Sequence, residues 1–153
     1  MLLTGSYRRT LDDKFRLAIP KQLRDAAGFA DTTVLYLAPG TDGSLAIYTQ
    51  EVIEALGSRL ADTSPAAQDM RSFSRLFYAQ AQPAEIDKQG RLRVPPELAK
   101  WSGIQSEVVL LGVRDHMELW DAAAWDRYLT ENQPRYDRLA ESAFAPAAKP
   151  TAP

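Results

Sequence analysis

The chain contains no cysteine and a single histidine, His116. Without thiols it can form no disulfide framework, thiolate metal site, iron–sulfur cluster or cysteine nucleophile. Long apolar runs are also missing, since none approaches the roughly 18 residues that a membrane span requires. The opening MLLTG is not followed by the apolar stretch of a signal peptide. These absences lead to the expectation of a cytoplasmic protein with no membrane partner. An enzyme would need a constellation of reactive groups. His116, in VRDHMEL, reads instead as a turn residue between strands, no carboxylate pair is spaced to share a metal with it, and no glycine-rich phosphate loop occurs. Asp12 and Asp13 are adjacent, so on a strand they point to opposite faces. No catalytic residue, metal or cofactor is therefore expected.

What is present is one domain's worth of soluble sequence: 153 residues, 45% hydrophobic and 25% charged, with a formal net charge of −2. A chain of this length buries about 68–70% of its unfolded surface and needs no covalent staple. The acidic total argues at face value against a polyanionic partner, but the charge is unevenly spread. Residues 1–24 carry Arg8, Arg9, Lys14, Arg16, Lys21 and Arg24 against Asp12 and Asp13, a local balance of +4. Residues 25–84 sum to −4, residues 85–103 to +1 and residues 104–153 to −3. A basic N-terminal segment is hidden by acidic flanks.

The chain also repeats itself. LDDKFRLAIP at 11–20 aligns with IDKQGRLRVP at 86–95 at an offset of 75. Leu11, Asp12, Arg16, Leu17, Ile19 and Pro20 fall on Ile86, Asp87, Arg91, Leu92, Val94 and Pro95, and the register continues through Leu23 with Leu98 and Gly28 with Gly103. After a surplus of three residues in PGTDGS, LAIY at 45–48 matches MELW at 117–120 at an offset of 72. Each copy reads as a polar turn, an alternating strand, a short helix begun at Pro20 or Pro95 and closed by Gly28 or Gly103, two further strands and a second helix capped by Thr49 or Asp121.

Between the copies, Ser64-Pro65 opens a helical stretch in which Met70, Phe73, Leu76, Phe77 and Ala81 recur at helical spacing and read as core. Beyond Pro134 the composition turns to alanine, proline and isolated charges, and residues 134–153 are expected to be a disordered tail. The expected organisation is module 1 over 5–50, connecting helices over 51–81 and module 2 over 82–125. A unit of about 45 residues is too small for a comfortable core of its own. The two copies are therefore expected to pack across a pseudo-two-fold axis into one mixed α+β domain, a pair of β-α-β-β-α modules with interlocked sheets.

The shared turn has two readings. Asp12 or Asp87 can staple the turn by accepting backbone N–H groups and pairing with Arg16 or Arg91. The same turn can present Arg8, Lys14 and Arg16 in one copy, and Lys88, Arg91 and Arg93 in the other, to phosphates and base edges, with Asp12 and Asp87 orienting the arginines. With Gln89 opposite Lys14, the first copy is expected to be the stronger phosphate binder.

The segments LTGSYRRTLDDKFRLAIPKQLR, EIDKQGRLRVPPEL and ELWDAAAWDRY resemble the MraZ family of bacterial transcriptional regulators, which carry two tandem SpoVT/AbrB-like domains. The resemblance runs from about Thr4 to about Leu129. It implies a swapped-hairpin-type fold and assembly of identical chains into a ring. It also implies a nucleoid-associated regulator that binds repeated double-stranded DNA elements upstream of the division and cell-wall gene cluster, its own promoter included, and represses it. In the family the two Asp-x-x-x-Arg regions face DNA, which here means Asp12, Lys14 and Arg16, and Asp87 and Arg91. Phe15 stands where the family usually has glycine and where Gly90 stands in the second copy. A bulky residue is disfavoured at positive φ, so the first turn is expected to differ in shape from the second. The alternative function is an AbrB-like antitoxin or protein-interaction module, although two fused modules with a short tail fit it less well.

Overall fold

The computed structural model describes residues 2–26, 33–62 and 68–146. Eight strands and six helices follow one another along the described chain. The first copy holds β1 (Ser6–Thr10), β2 (Arg16–Ala18), α1 (Lys21–Asp25), β3 (Val34–Pro39), β4 (Leu45–Tyr48) and α2 (Gln50–Ala61), and α3 (Gln68–Gln80) follows it. The second copy holds β5 (Gln82–Glu85), β6 (Arg91–Arg93), α4 (Pro96–Trp101), β7 (Glu107–Val113), β8 (His116–Asp121) and α5 (Ala122–Asn132), and α6 (Tyr136–Phe144) comes last. The protein is mixed α+β with antiparallel strands.

Strand pairing shows how the copies combine. Six strands form one sheet in the order β1-β7-β8-β4-β3-β5, and β2 pairs with β6 in a separate two-stranded ribbon. The repeat relates β1 to β5, β3 to β7, β4 to β8 and β2 to β6. Exchanging every strand for its mate reproduces the same sheet order read backwards, which is what a two-fold axis requires. Its position is visible in the registers. Leu17 pairs with Leu92, residues separated by the first offset, and Ala46 pairs with Glu118, separated by the second. The axis passes through both pairs.

The first strand of each copy is donated to the other: β1 pairs with β7 and β5 with β3. Neither module therefore has a complete sheet by itself. The shared core explains why. Leu17, Leu35, Leu37, Leu45 and Ile47 from the first copy and Leu92, Leu98, Leu110, Met117 and Leu119 from the second are all fully buried in one cluster. Each such side chain is worth about 1.5–3 kcal/mol on burial, and only the pooled set makes a domain-sized core. One compact unit accordingly contains all eight strands of the two copies and ends at Ala122.

Local signals act as the residue types dictate. Pro20 and Pro95 sit at the N-caps of α1 and α4, and Pro96 occupies the first turn of α4. Gly103 follows α4 at φ +66, a conformation costly for any residue with a Cβ. Its counterpart Gly28 lies outside the described residues, as does the expected helix start at Ser64-Pro65. The Thr49 hydroxyl accepts the Val52 N–H at the start of α2, whereas the Asp121 carboxylate accepts the Gln105 N–H.

Two expectations need correction. In α3 only Phe77 is deeply buried; Phe73 is 45% and Leu76 56% exposed. The helix lies on β3 along a narrow stripe, where Phe77 meets Tyr48 edge-on, so helical spacing found the apolar face but overstated its width. The C-terminal stretch expected to be disordered from residue 134 instead holds a 3-10 turn (Gln133–Arg135) and α6. Tyr136, Leu139 and Ala143 recur at helical spacing there, a period that bulk composition conceals. Residues 147–153 of that stretch lie outside the described residues.

Candidate nucleic-acid interface

The β2–β6 ribbon is three residue pairs long. Alternation puts Leu17 and Leu92 on the inner face, both at zero exposure, and sends Arg16, Ala18, Arg91 and Arg93 outward. Arg16 stands directly opposite Arg93. Opposed like charges on a strand pair destabilise it, so three guanidinium groups on so small a ribbon are a poor choice for folding and a good one for a polyanion.

Each strand is entered through the same turn. Asp12 Oδ1 accepts the N–H groups of Lys14 and Arg16, both at 2.9 Å, and Asp87 Oδ1 accepts those of Gln89 and Arg91, also at 2.9 Å. The second carboxylate oxygen accepts Arg16 Nε in one copy and Arg91 Nε at 2.9 Å in the other. Arg91 Nη1 also lies 4.0 Å from Asp12 Oδ2, so the two motifs meet across the axis. Both carboxyls are held below the usual carboxylate range, first by the backbone N–H of Arg16 or Arg91 and then by the guanidinium itself, against an opposing effect of burial. The staple and the cationic display are one arrangement: the carboxylate fixes the arginine with one edge and leaves the pair about one-third exposed.

The two turns have the same shape despite Phe15. Phe15 has φ +58 and Gly90 φ +76. Phe15 N–H donates to Asp12 O and Gly90 N–H to Asp87 O, each at 3.0 Å. Each turn also receives a bond from the opposite copy, Val94 N–H to Phe15 O at 2.9 Å and Ile19 N–H to Gly90 O at 3.0 Å. The expected difference in turn shape does not occur, because these reciprocal bonds hold residue 15 in the left-handed region. The neighbours differ instead. A Cβ on Gly90 would lie 2.9 Å from the Arg24 guanidinium carbon, and Arg24 Nε is anchored to Ile19 O at 3.1 Å. The repeat carries Arg24 onto Ala99, whose methyl group has neither the reach nor the charge of the guanidinium.

Of the residues singled out from sequence, Arg16, Arg91 and Arg93 share the ribbon's outer face. Lys14 and Lys88 are exposed in the two turns, and Asp12 and Asp87 hold those turns. Arg8 lies on β1, opposite Val109 in the six-stranded sheet rather than on the ribbon. More ribbon cations come from the second copy than from the first, since Ala18 is the counterpart of Arg93, which counts against the first copy as the stronger binder. Arg24 was not singled out from sequence, because its place beside Gly90 depends on one copy folding over the other.

His116 begins β8 rather than standing alone in a turn. Its Nδ1 lies 2.9 Å from Asp115 Oδ1 and its Nε2 3.4 Å from Glu118 Oε2. The Tyr48 ring packs 5.5 Å away. Glu118, then Asp115, pushes the imidazole pKa up against partial burial, and His116 holds both carboxyls down. The strand period that puts residues 116 and 118 on one face was the signal for this cluster.

Comparison with known proteins bears on the whole chain. Residues 77–145 match the profile of a family described as "MraZ protein, putative antitoxin-like". "Transcriptional regulator MraZ" of Mesoplasma florum is 35% identical over 144 residues, covering 94% of this chain and 97% of that protein. The chain belongs to the MraZ family. Proteins of the same name from Ligilactobacillus salivarius and Lactiplantibacillus plantarum are each 36% identical, over 92% and 90% of this chain and 96% and 95% of their own. Such coverage takes in both copies of the repeat, so the ribbon that requires both copies falls inside the shared region. Among the described residues of this MraZ family member, no helix is long and apolar enough to cross a membrane.

Proposed function

We propose that this chain is a sequence-specific DNA-binding transcriptional regulator that docks the β2–β6 ribbon in the major groove. It is not an enzyme, and it uses no cofactor. The observation that carries this reading is the outward set of Arg16, Arg91 and Arg93 on a ribbon whose inner side is the Leu17–Leu92 pair. The major groove, about 12 Å wide, admits a two-stranded ribbon, and arginine is the side chain best suited to phosphates and to the paired acceptors of guanine. Lys14, Lys88 and, from β1, Arg8 supply positioning contacts to phosphate. The name shared by the relatives, transcriptional regulator, supports this reading.

In this proposal identical chains assemble into a ring that aligns several ribbons on repeated promoter elements, so that modest individual contacts multiply. The target is the DNA upstream of the division and cell-wall gene cluster, including the chain's own promoter, and binding represses it in the cytoplasm at the nucleoid. A footprint on that DNA, with affinity measured from low to moderate salt, tests the reading. Affinity should fall steeply, with the logarithm of the constant linear in the logarithm of salt. A flat response overturns the phosphate-contact model, and a stoichiometric co-purifying toxin would instead favour the antitoxin alternative.

A further inference from the structure

Phe15 is out of place by every local criterion. It is a bulky residue at φ +58, a conformation that costs an L side chain about 1–2 kcal/mol. Its counterpart Gly90 closes the same turn with the same hydrogen bonds and no such penalty. The turn therefore does not need the aromatic ring. Nor is the ring placed to serve the core: it is 36% exposed, flanked by Lys14 and Arg16 at the entrance to the ribbon. Strain of this kind persists where the surrounding structure over-determines it, and it concentrates at binding sites.

The two-fold relationship accounts for the space the ring occupies. At the second turn the Arg24 guanidinium fills the place beside Gly90. At the first turn the counterpart of Arg24 is Ala99, a buried residue that brings no cation to the place. One end of the ribbon thus carries a glycine with a cation beside it, and the other an aromatic ring with an alanine. Phe15 O accepts the Val94 N–H at 2.9 Å, which fixes the direction in which the ring leaves the backbone.

We infer that Phe15 is a specificity-determining residue that makes an apolar contact with the 5-methyl group of a thymine at one end of the ribbon's footprint. This rests on the proposed docking of the ribbon in the major groove. The edges exposed in that groove are hydrogen-bond donors and acceptors, with the thymine methyl as their apolar feature, so an exposed phenyl ring there has one matching partner. Because the second turn has Gly90 and Arg24 in the equivalent place, the contact exists at one end only. A pseudo-symmetric ribbon thereby gains a direction on DNA.

The test compares wild type with Phe15→Gly on duplexes from upstream of the chain's own gene, made with thymine or with uracil, which lacks the methyl. Phe15→Gly introduces a residue that adopts positive φ without strain, and its thermal midpoint confirms folding. Wild type should bind the uracil duplex about fourfold more weakly than the thymine duplex, the equivalent of about 0.8 kcal/mol for one buried methyl-sized group. Phe15→Gly should bind both equally, at about the wild-type affinity for the uracil duplex. If the variant retains the wild-type preference, or binds both duplexes like wild type on thymine, the contact does not exist. Equal loss on both duplexes well below the wild-type uracil value points to a wedge between base steps and also overturns it. Failure of wild type to bind either duplex in a salt-dependent manner overturns the proposed function itself, and with it this inference.

Discussion

Leu17 and Leu92 are backbone partners in the β2–β6 ladder, and the offset that separates them is the offset of the repeat. Each strand is thereby paired with its own mate, and both leucines are fully buried beneath the arginine face. The interface surface and the core are two sides of one three-residue ribbon.

Removing either leucine should therefore be a folding defect. Leu17→Ala and Leu92→Ala are each expected to cost about 2–5 kcal/mol in urea denaturation, as large-to-small core substitutions do. The two should not add, since the side chains meet across the axis. Additive losses would show that they occupy independent environments. Leu17→Asp, which puts a charge on the inner face, should leave the chain unfolded.

Arginine substitutions on the other face of the ribbon should separate from these. Arg16→Ala and Arg93→Ala are expected to change stability by less than about 1 kcal/mol, because exposed or partly exposed pairs contribute little. Wherever the replaced guanidinium contacts phosphate, the salt slope of DNA binding should fall by about one, with weaker binding across all sequences. A contact to a base edge should instead relax specificity at that position by about 1–3 kcal/mol. A large drop in the thermal midpoint of Arg16→Ala, with DNA affinity unchanged, would reduce the Asp12–Arg16 pair to a turn staple.

The two turns should respond oppositely to side-chain bulk. Gly90→Ala must hold a Cβ at φ +76 and displace the Arg24 guanidinium from 2.9 Å. The expected loss is about 1–2 kcal/mol. Phe15→Gly relieves the equivalent strain while giving up only a partly exposed ring, so its stability should equal or exceed that of wild type. Thermal unfolding of the two variants side by side checks this contrast.

The His116 cluster sets a pH dependence with a definite sign. A raised imidazole pKa means that the protonated form is favoured in the folded state. Its contribution is complete below the ordinary value of about 6.5 and is lost as pH rises through the folded value. Asp115 and Glu118 are shifted down, so their contributions are complete above the ordinary carboxylate range near 4 and are lost as pH falls through the folded values. The cluster therefore stabilises most between about pH 5 and 6. In thermal scans from pH 5 to 9, wild type should lose midpoint through the neutral range relative to His116→Gln. Parallel curves would show that His116 does not titrate as part of the cluster.

Much of this architecture is legible in the chain because a repeat is a statement about structure. Two copies of a unit too small to fold alone imply a shared core, and the matched Asp, Arg, Leu and Pro positions place the same turn, strand and helix start twice. Alternation around Leu17 and Leu92 identifies which side of the strand is buried. The width of the α3 stripe and the order in α6 were not legible, because helical periodicity gives a face but not what covers it.

The sequence by itself determined the local conformations: prolines at the starts of α1 and α4, the aspartate-anchored turns and the alternating strands, each set by contacts within a few residues. Tertiary structure decided the rest. It exchanged β1 and β5 between the copies, put Arg16 opposite Arg93, set the Arg24 guanidinium beside Gly90 and held Phe15 at positive φ. Each of these depends on backbone bonds between segments far apart in the chain, as between Tyr36 and Pro83, Arg16 and Arg93 or Arg8 and Val109, which no local propensity encodes. They form because pooling two half-cores buries apolar surface that neither copy could bury alone.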